Sequence, residues 1–295
     1  MSSQQSENSH VVGRYAPSPT GDLHLGNLRT ALIAWLQARS QGGKFLMRME
    51  DTDTPRVVVG SDLRILKDLE WLGLDWDESV IYQSARLELY QAAIEQLRES
   101  GLVYPCFCSR KDIRLAGSAP HAQPGVYPGI CSNLNTEEIR QRSIVKQPAY
   151  RLRVSADLKE QCGDFVLLRA DGIIAYQLAV VVDDLEQGIT DVVRGADLID
   201  STDRQLYLAQ QLHANGRAIQ YHHIPLMLDN AGNRLSKRDG SLSVKQWRAQ
   251  GGTNASMLGM FAEQLGLQES STPISAEELL CVVRTEQITS LAIEH

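Results

Sequence analysis

The chain of 295 residues contains no run of 18 or more apolar residues, so no membrane-spanning helix is predicted. Residues 1–10 lack the basic and apolar regions of a secretory signal and read as a disordered polar tail. No internal repeat or low-complexity tract interrupts the sequence. Cysteine is scarce: five residues, an odd number without an export signal, argue against a disulfide framework and for a reducing cytoplasm. A basic excess is also missing. The formal charge is −7, which argues against a non-specific nucleic-acid binder. What remains, 43% hydrophobic and 22% charged residues, is an ordinary globular composition, enough for one large domain or two smaller ones. Nothing calls for an oligomer, and a monomer is expected.

Val11–Tyr15 is a short apolar run stopped by Ala-Pro-Ser-Pro-Thr-Gly, a buried strand entering a proline-fixed loop. Leu28, Leu32, Trp35 and Leu36 then recur at helical spacing up to Arg39, and Gly42-Gly43 ends the segment. Lys44–Met49 reads as a second strand before the acidic turn Glu50–Pro55, and helices are expected at about 61–72 and 85–99. This order gives an α/β domain with a mostly parallel sheet. Between 101 and 172 the character changes to clustered cysteines, a Pro/Gly/Tyr-rich stretch and short strands; Ala170-Asp171-Gly172 reads as a hairpin turn. Segments at 176–185, 189–194 and 197–214 restore α/β character. The expected organisation is therefore a first domain half at 11–100, an insertion at 101–172, a second half at 173–230, and a loop with two or three helices at 231–295.

Two motifs carry chemistry. Pro17–Asn27 joins a strand to a helix, and helix N-termini attract phosphates. Here His24 can donate to a phosphoryl oxygen and Gly26 allows close backbone approach. Arg234-Leu-Ser-Lys-Arg238 sits in a glycine-flanked loop where Lys237 can close over a phosphate. The surrounding stretch 231–250 carries a local charge of +4, leaving −11 on the rest of the chain. Either motif alone has a bland reading, a solvated loop in both cases. A third feature, Cys106-Phe-Cys108 followed by Cys131, offers three thiolates to one tetrahedral metal. Spacing alone nominates His121 as the fourth ligand.

Together, the His-Leu-Gly-Asn and Arg-Leu-Ser-Lys-Arg sequences resemble the two signatures of class I aminoacyl-tRNA synthetases. Arg14–Gly26, Arg48-Met-Glu-Asp-Thr-Asp53 and Val193-Arg-Gly-Ala-Asp-Leu198 resemble the glutamyl branch. The resemblance implies a Rossmann-like parallel sheet, a zinc-containing α/β insertion and a short helical C-terminal part. It also implies a ligase that joins glutamate to ATP, taken with Mg²⁺, and then transfers the acyl group to RNA. On this resemblance His24, Gly26 and Lys237 bind ATP, with His24 and Lys237 catalytic. Arg14, Tyr15, Ala16, Pro17, Ser18, Glu50, Tyr176 and Arg194 bind glutamate: the arginines meet its carboxylate and Glu50 its ammonium. Asn27 stands where many members have histidine and receives no catalytic role. The family pattern Cys-x-Cys…Tyr-x-x-x-Cys favours Tyr127 over His121 as the fourth ligand of one structural Zn²⁺.

Only 55 residues follow Gly240, too few for the long anticodon-binding part of a glutamyl-tRNA synthetase. That pattern resembles the truncated glutamyl-tRNA synthetase-like family, the glutamyl-Q tRNA(Asp) synthetases. It implies that the partner is the tRNA(Asp) anticodon stem-loop and that the acceptor is the queuosine base at its wobble position. The alternative expectation is a truncated enzyme charging the 3′ end of tRNA(Glu).

Overall fold

The computed structural model describes residues 11–116, 126–212, 219–227 and 243–293. Its strands are β1 (Val12–Tyr15), β2 (Lys44–Met49), β3 (Asp77–Tyr82), β4 (Val103–Cys106), β5 (Ala149–Leu152), β6 (Phe165–Leu168), β7 (Asp191–Gly195) and β8 (Gln220–Ile224). The helices begin with α1 (Leu25–Arg39), α2 (Ser61–Leu72), α3 (Leu87–Glu99), α4 (Arg110–Ala116), α5 (Thr136–Val145) and α6 (Ala156–Gln161). They continue with α7 (Tyr176–Glu186), α8 (Thr202–Leu212), α9 (Val244–Ala249), α10 (Asn254–Gln264), α11 (Ala276–Val282) and α12 (Thr285–Thr289). Among the described residues no helix is long and apolar enough to cross a membrane.

The chain forms two compact units. The first takes the described residues through Tyr82, Gly188–Ile199 and those from Ile219 onward. It holds a five-stranded sheet in the order β3-β2-β1-β7-β8, with every neighbouring pair parallel. Strand β2 is buried from Phe45 to Met49, as the near-continuous apolar run of a sheet covered on both faces requires. Helix α1 is apolar on more than one face, and Leu28, Ala31, Leu32, Ile33, Trp35 and Leu36 are all buried. The reason is that its core includes Met257, Leu258 and Phe261 of α10, Leu279 of α11 and Ile288 of α12 as well as the strands. Strand β8 lies at one edge of the sheet, and the backbone N–H of Ile293 donates to its His223 carbonyl at 2.7 Å, covering part of that edge.

The second unit takes Gln83–Gln187 and the described residues 200–212. An antiparallel sheet, β4-β5-β6, is its centre. The expected turn after β6 is present. Arg169 N–H donates to the Ile173 carbonyl at 2.9 Å, and Gly172 occupies φ +83°, which a β-carbon disfavours. This unit is larger than the insertion expected at 101–172. Tyr90, Ile94 and Leu97 of α3, Leu178 and Val181 of α7 and Leu208 of α8 share one core with Leu152 and Phe165. Three helices expected in the nucleotide-type halves therefore bury their apolar faces here.

Asp183 ties α7 to α3 and the turn that precedes it. Fully buried, it accepts from Gln83 Nε2 at 2.7 Å, Arg86 Nε at 2.7 Å and Tyr90 Oη at 2.9 Å. Removing one partner of a buried ion pair strands the other in a low-dielectric site. Asp183→Ala is expected to lower the unfolding free energy by about 3–5 kcal/mol, read by urea denaturation; a loss within the error of the wild type would show that water replaces the carboxylate.

Candidate active site and metal centre

In the first unit the strand order reverses between β1 and β7, and ligands of such sheets bind beyond the C-terminal strand ends at that point. Arg14 and Tyr15 close β1, Glu50 follows β2, and Arg194 lies at the end of β7. Ala16, Pro17 and Ser18 form the loop leaving β1, with Pro17 buried and Ser18 exposed. The Glu50 N–H donates to the Pro17 carbonyl at 3.0 Å, joining the loops after β1 and β2. Arg14 and Arg194 are buried, 5% and 4% exposed. Arg48, wholly buried in β2, stands 3.7 Å from the Glu50 carboxylate. The buried Tyr15 hydroxyl has no hydrogen-bond partner among the described residues.

His24 is the N-cap of α1. Its Nδ1 accepts the Asn27 N–H at 3.3 Å, while Asn27 Oδ1 accepts the His24 N–H at 3.4 Å, a reciprocal capping box. Accepting at Nδ1 puts the ring proton on Nε2, which is thereby a donor. Gly26 makes room for the ring: a β-carbon there would lie 3.1 Å from His24 Cε1 and Nδ1. Asn27, given no catalytic role, thus has a structural one.

Lys237 lies outside the described residues. The chain on either side of its segment is described, and both ends meet the start of α1. Met227 Cβ is 3.8 Å from the β-carbon position of Gly26, and Ser243 bridges His24.

Strand β8 supplies residues that the sequence reading passed over. His223 Nε2 accepts from Arg194 Nε at 3.1 Å, and Tyr221 lies under the same guanidinium, 4.5 Å from ring centre to Cζ. His222 reaches the other way, 3.0 Å from Asp191 Oδ1. Burial would raise the Asp191 carboxyl, but hydrogen bonds from His222 and Thr190 hold it below the usual carboxylate range. Alternation on a parallel edge strand explains the division: 221 and 223 share one face and 222 takes the opposite one.

Tyr176 opens α7 in the second unit and is 38% exposed. The same unit contains the metal candidate, with the Cys106, Cys108 and Cys131 sulfurs all within 4.8 Å of one another. Tyr127 Oη lies 3.3 Å from Cys106 Sγ and 3.7 Å from Cys108 Sγ, and Cys108 and Cys131 Sγ are 3.6 Å apart. A tetrahedral zinc with Zn–S about 2.3 Å and Zn–O about 2.0 Å has edges of about 3.8 Å and 3.5 Å, so the donor set fits. His121 lies outside the described residues. Without a cation, burial and the neighbouring sulfurs push the Tyr127 phenol far up, and burial pushes the Cys108 thiol up to about 12. Two groups favour the tyrosinate that a metal needs: the Cys131 N–H donates to Tyr127 Oη at 3.0 Å, and the Arg151 guanidinium lies 3.8 Å from its ring centre.

The family model for the catalytic domain of class I tRNA synthetases (E and Q) matches residues 10–162 and 149–293. The chain belongs to this family and is a class I tRNA synthetase-like ligase. Among similar proteins, the glutamyl-Q tRNA(Asp) synthetase of Nocardia farcinica is 47% identical over 268 residues, spanning 87% of this chain and 85% of the relative. The protein of the same name from Prochlorococcus marinus is 42% identical over 284 residues, 96% of this chain and 91% of its own. A solved glutamate-tRNA synthetase from Elizabethkingia anophelis superposes with TM-score 0.82 at 27% identity, covering 96% of this chain and 68% of that one.

The capping box yields a direct test. Asn27→Ala removes the acceptor for the His24 N–H and is expected to cost about 1 kcal/mol of stability, measured by urea denaturation; an unchanged midpoint would mean the box contributes nothing.

Proposed function

We propose that this chain activates L-glutamate with ATP and transfers the glutamyl group to the queuosine base at the wobble position of tRNA(Asp). The observation that carries the reading is the convergence, at one end of the first unit's parallel sheet, of a helix N-terminus capped by His24 with Arg14, Glu50 and Arg194. The names of relatives up to 47% identical support the choice of acceptor.

In the first step an α-carboxylate oxygen of glutamate attacks the α-phosphorus of ATP, and pyrophosphate leaves. The protein's task is positioning and charge stabilisation. His24 donates through Nε2 to a phosphate oxygen beside the free N–H groups of α1, including that of Gly26. Lys237 supplies positive charge to the departing pyrophosphate, a role supported by the anchoring of both flanks of its segment at His24 and Gly26. Mg²⁺ enters with ATP. Arg14 and Arg194 receive the side-chain carboxylate of glutamate, and Glu50, held by Arg48, receives its ammonium. Tyr15, Ala16, Pro17 and Ser18 line the same pocket, and Tyr176 is assigned to glutamate on resemblance alone. In the second step a hydroxyl of the queuosine cyclopentene ring attacks the acyl carbon, and AMP leaves. Cys106, Cys108, Tyr127 and Cys131 would hold one Zn²⁺; four protein ligands leave no open position, so its work is structural.

Two experiments test this. Glutamate-dependent exchange of labelled pyrophosphate into ATP is expected without tRNA, and labelled glutamate is expected on queuosine-containing tRNA(Asp). Preferential labelling of the 3′ end of tRNA(Glu) would overturn the acceptor assignment, and absent exchange would overturn the activity. Elemental analysis should find about one zinc per chain, and chelation should lower the melting temperature; folded protein free of metal would remove the zinc assignment.

A further inference from the structure

Arg151 lies on β5, the central strand of the second unit's sheet, and is 8% exposed. The antiparallel register sets it opposite Tyr104, so Tyr104 and Cys106 of β4 share one face of the sheet with Arg151. Its Nη1 donates to the Asp164 carbonyl at 2.7 Å, which anchors one end of the guanidinium. The Cζ lies 3.8 Å from the centre of the Tyr127 ring, and the same group reaches the Cys106 side chain. One buried cation thus meets two of the four residues that would hold a metal. Two neighbouring cations act on the backbone instead: Lys146 Nζ donates to the Phe107 carbonyl at 2.8 Å, and Arg153 Nη2 to the Ser132 carbonyl at 2.7 Å. These brace the segments that carry the sulfurs, whereas Arg151 is set against the ligand side chains themselves.

We propose that Arg151 is the counter-ion of the metal centre, compensating its excess negative charge across the Tyr127 ring and so setting the affinity for zinc. The inference rests on the zinc reading of Cys106, Cys108, Tyr127 and Cys131. Three thiolates and a phenolate around Zn²⁺ carry a net charge of about −2. Inside a protein such a charge is costly unless an opposite one is held nearby. Coordination leaves negative charge on the phenolic oxygen and in its ring, and the pull of a cation on the ring face grows accordingly. The contact at Arg151 is therefore stronger with metal than without it, and a group that favours one state over the other shifts the affinity by that difference. A phenolate ligand, unlike a fourth thiolate, offers an aromatic face through which a cation acts without entering the coordination sphere. An arginine that merely braced the sheet would bear equally on the metal-free and the loaded protein.

The test uses the full chain, stripped of metal and titrated with zinc against a chromophoric chelator of known affinity. Arg151→Gln keeps a donor for the Asp164 carbonyl but removes the charge, and should raise the zinc dissociation constant about tenfold or more. Arg151→Lys keeps the charge and should stay within about threefold of wild type. Arg151→Met gives a second uncharged variant with the same expectation as Arg151→Gln, should the latter fail to fold. In a Tyr127→Phe background the effect of Arg151→Gln should shrink to about threefold or less. Equal dissociation constants in the Gln and Lys variants would overturn the proposal, as would an undiminished effect without the Tyr127 hydroxyl. So would equal falls in melting temperature for the zinc-free and zinc-loaded Gln variant, the mark of a bracing role. The premise is separated by the wild type: a chain that takes up no zinc would remove the metal centre itself, whereas uptake unchanged by Arg151→Gln would reject only the role of Arg151.

Discussion

A parallel sheet whose strand order reverses must send its crossover connections in opposite directions, and the loops leaving the two central strands then diverge. In this chain the reversal falls between β1 and β7. That topology determines where charge can gather. The loop after β1 carries Ala16 to Ser18, that after β2 begins at Glu50, β7 ends with Arg194 and Gly195, and α1 starts at His24. No residue of this group needs a long side chain to reach the others' neighbourhood, because the backbone has already delivered each one to the same end of the sheet. The hydrogen bond from Glu50 N–H to the Pro17 carbonyl fixes two of those loops to each other.

The cost of the arrangement is buried positive charge in an acidic protein. Net charge describes behaviour toward a bulk polyanion at long range and says little about a site. Arg14, Arg48 and Arg194 are each at most 5% exposed, and the molecule retains them although its total charge is −7. Arg48 faces Glu50, while Arg194 Nε donates to His223 and its guanidinium lies over the Tyr221 ring.

The first strand, the second strand and helix α2 were legible to within a residue because runs of apolar side chains and bounding glycines or prolines mark them in the sequence. Strands β3 and β8 were not. Both lie at sheet edges, where Asp77-Glu-Ser and Gln220-Tyr-His-His satisfy pairing on one side only and so show no continuous apolar run. The assignment of α3, α7 and α8 to a unit was also hidden, since an amphipathic face declares that it will be buried but not against which core. For the candidate site, motifs nominated His24, Glu50 and Arg194, and cysteine spacing nominated three sulfurs, which lie within 4.8 Å of one another. The imidazole-capped box escaped notice because histidine is an unusual N-cap. Tyr221 and His223 escaped because their roles depend on a register that only the folded sheet defines.

One device recurs at these sites: a donor aimed at an acceptor atom selects the protonation state. Asn27 N–H at Nδ1 puts the His24 proton on Nε2, and Arg194 Nε–H at Nε2 puts the His223 proton on Nδ1. At Tyr127 the Cys131 N–H favours the oxyanion. The consequence is sharpest at His24. A second proton on Nδ1 would break the cap of α1 and place a cation at the positive end of its dipole. His24 is therefore suited to donate one hydrogen bond to a phosphate, not to neutralise it. Under the proposed function, charge for a departing pyrophosphate would come from a side chain that is cationic without such a penalty; Lys237, on a segment whose two flanks meet His24 and Gly26, is the residue proposed for it.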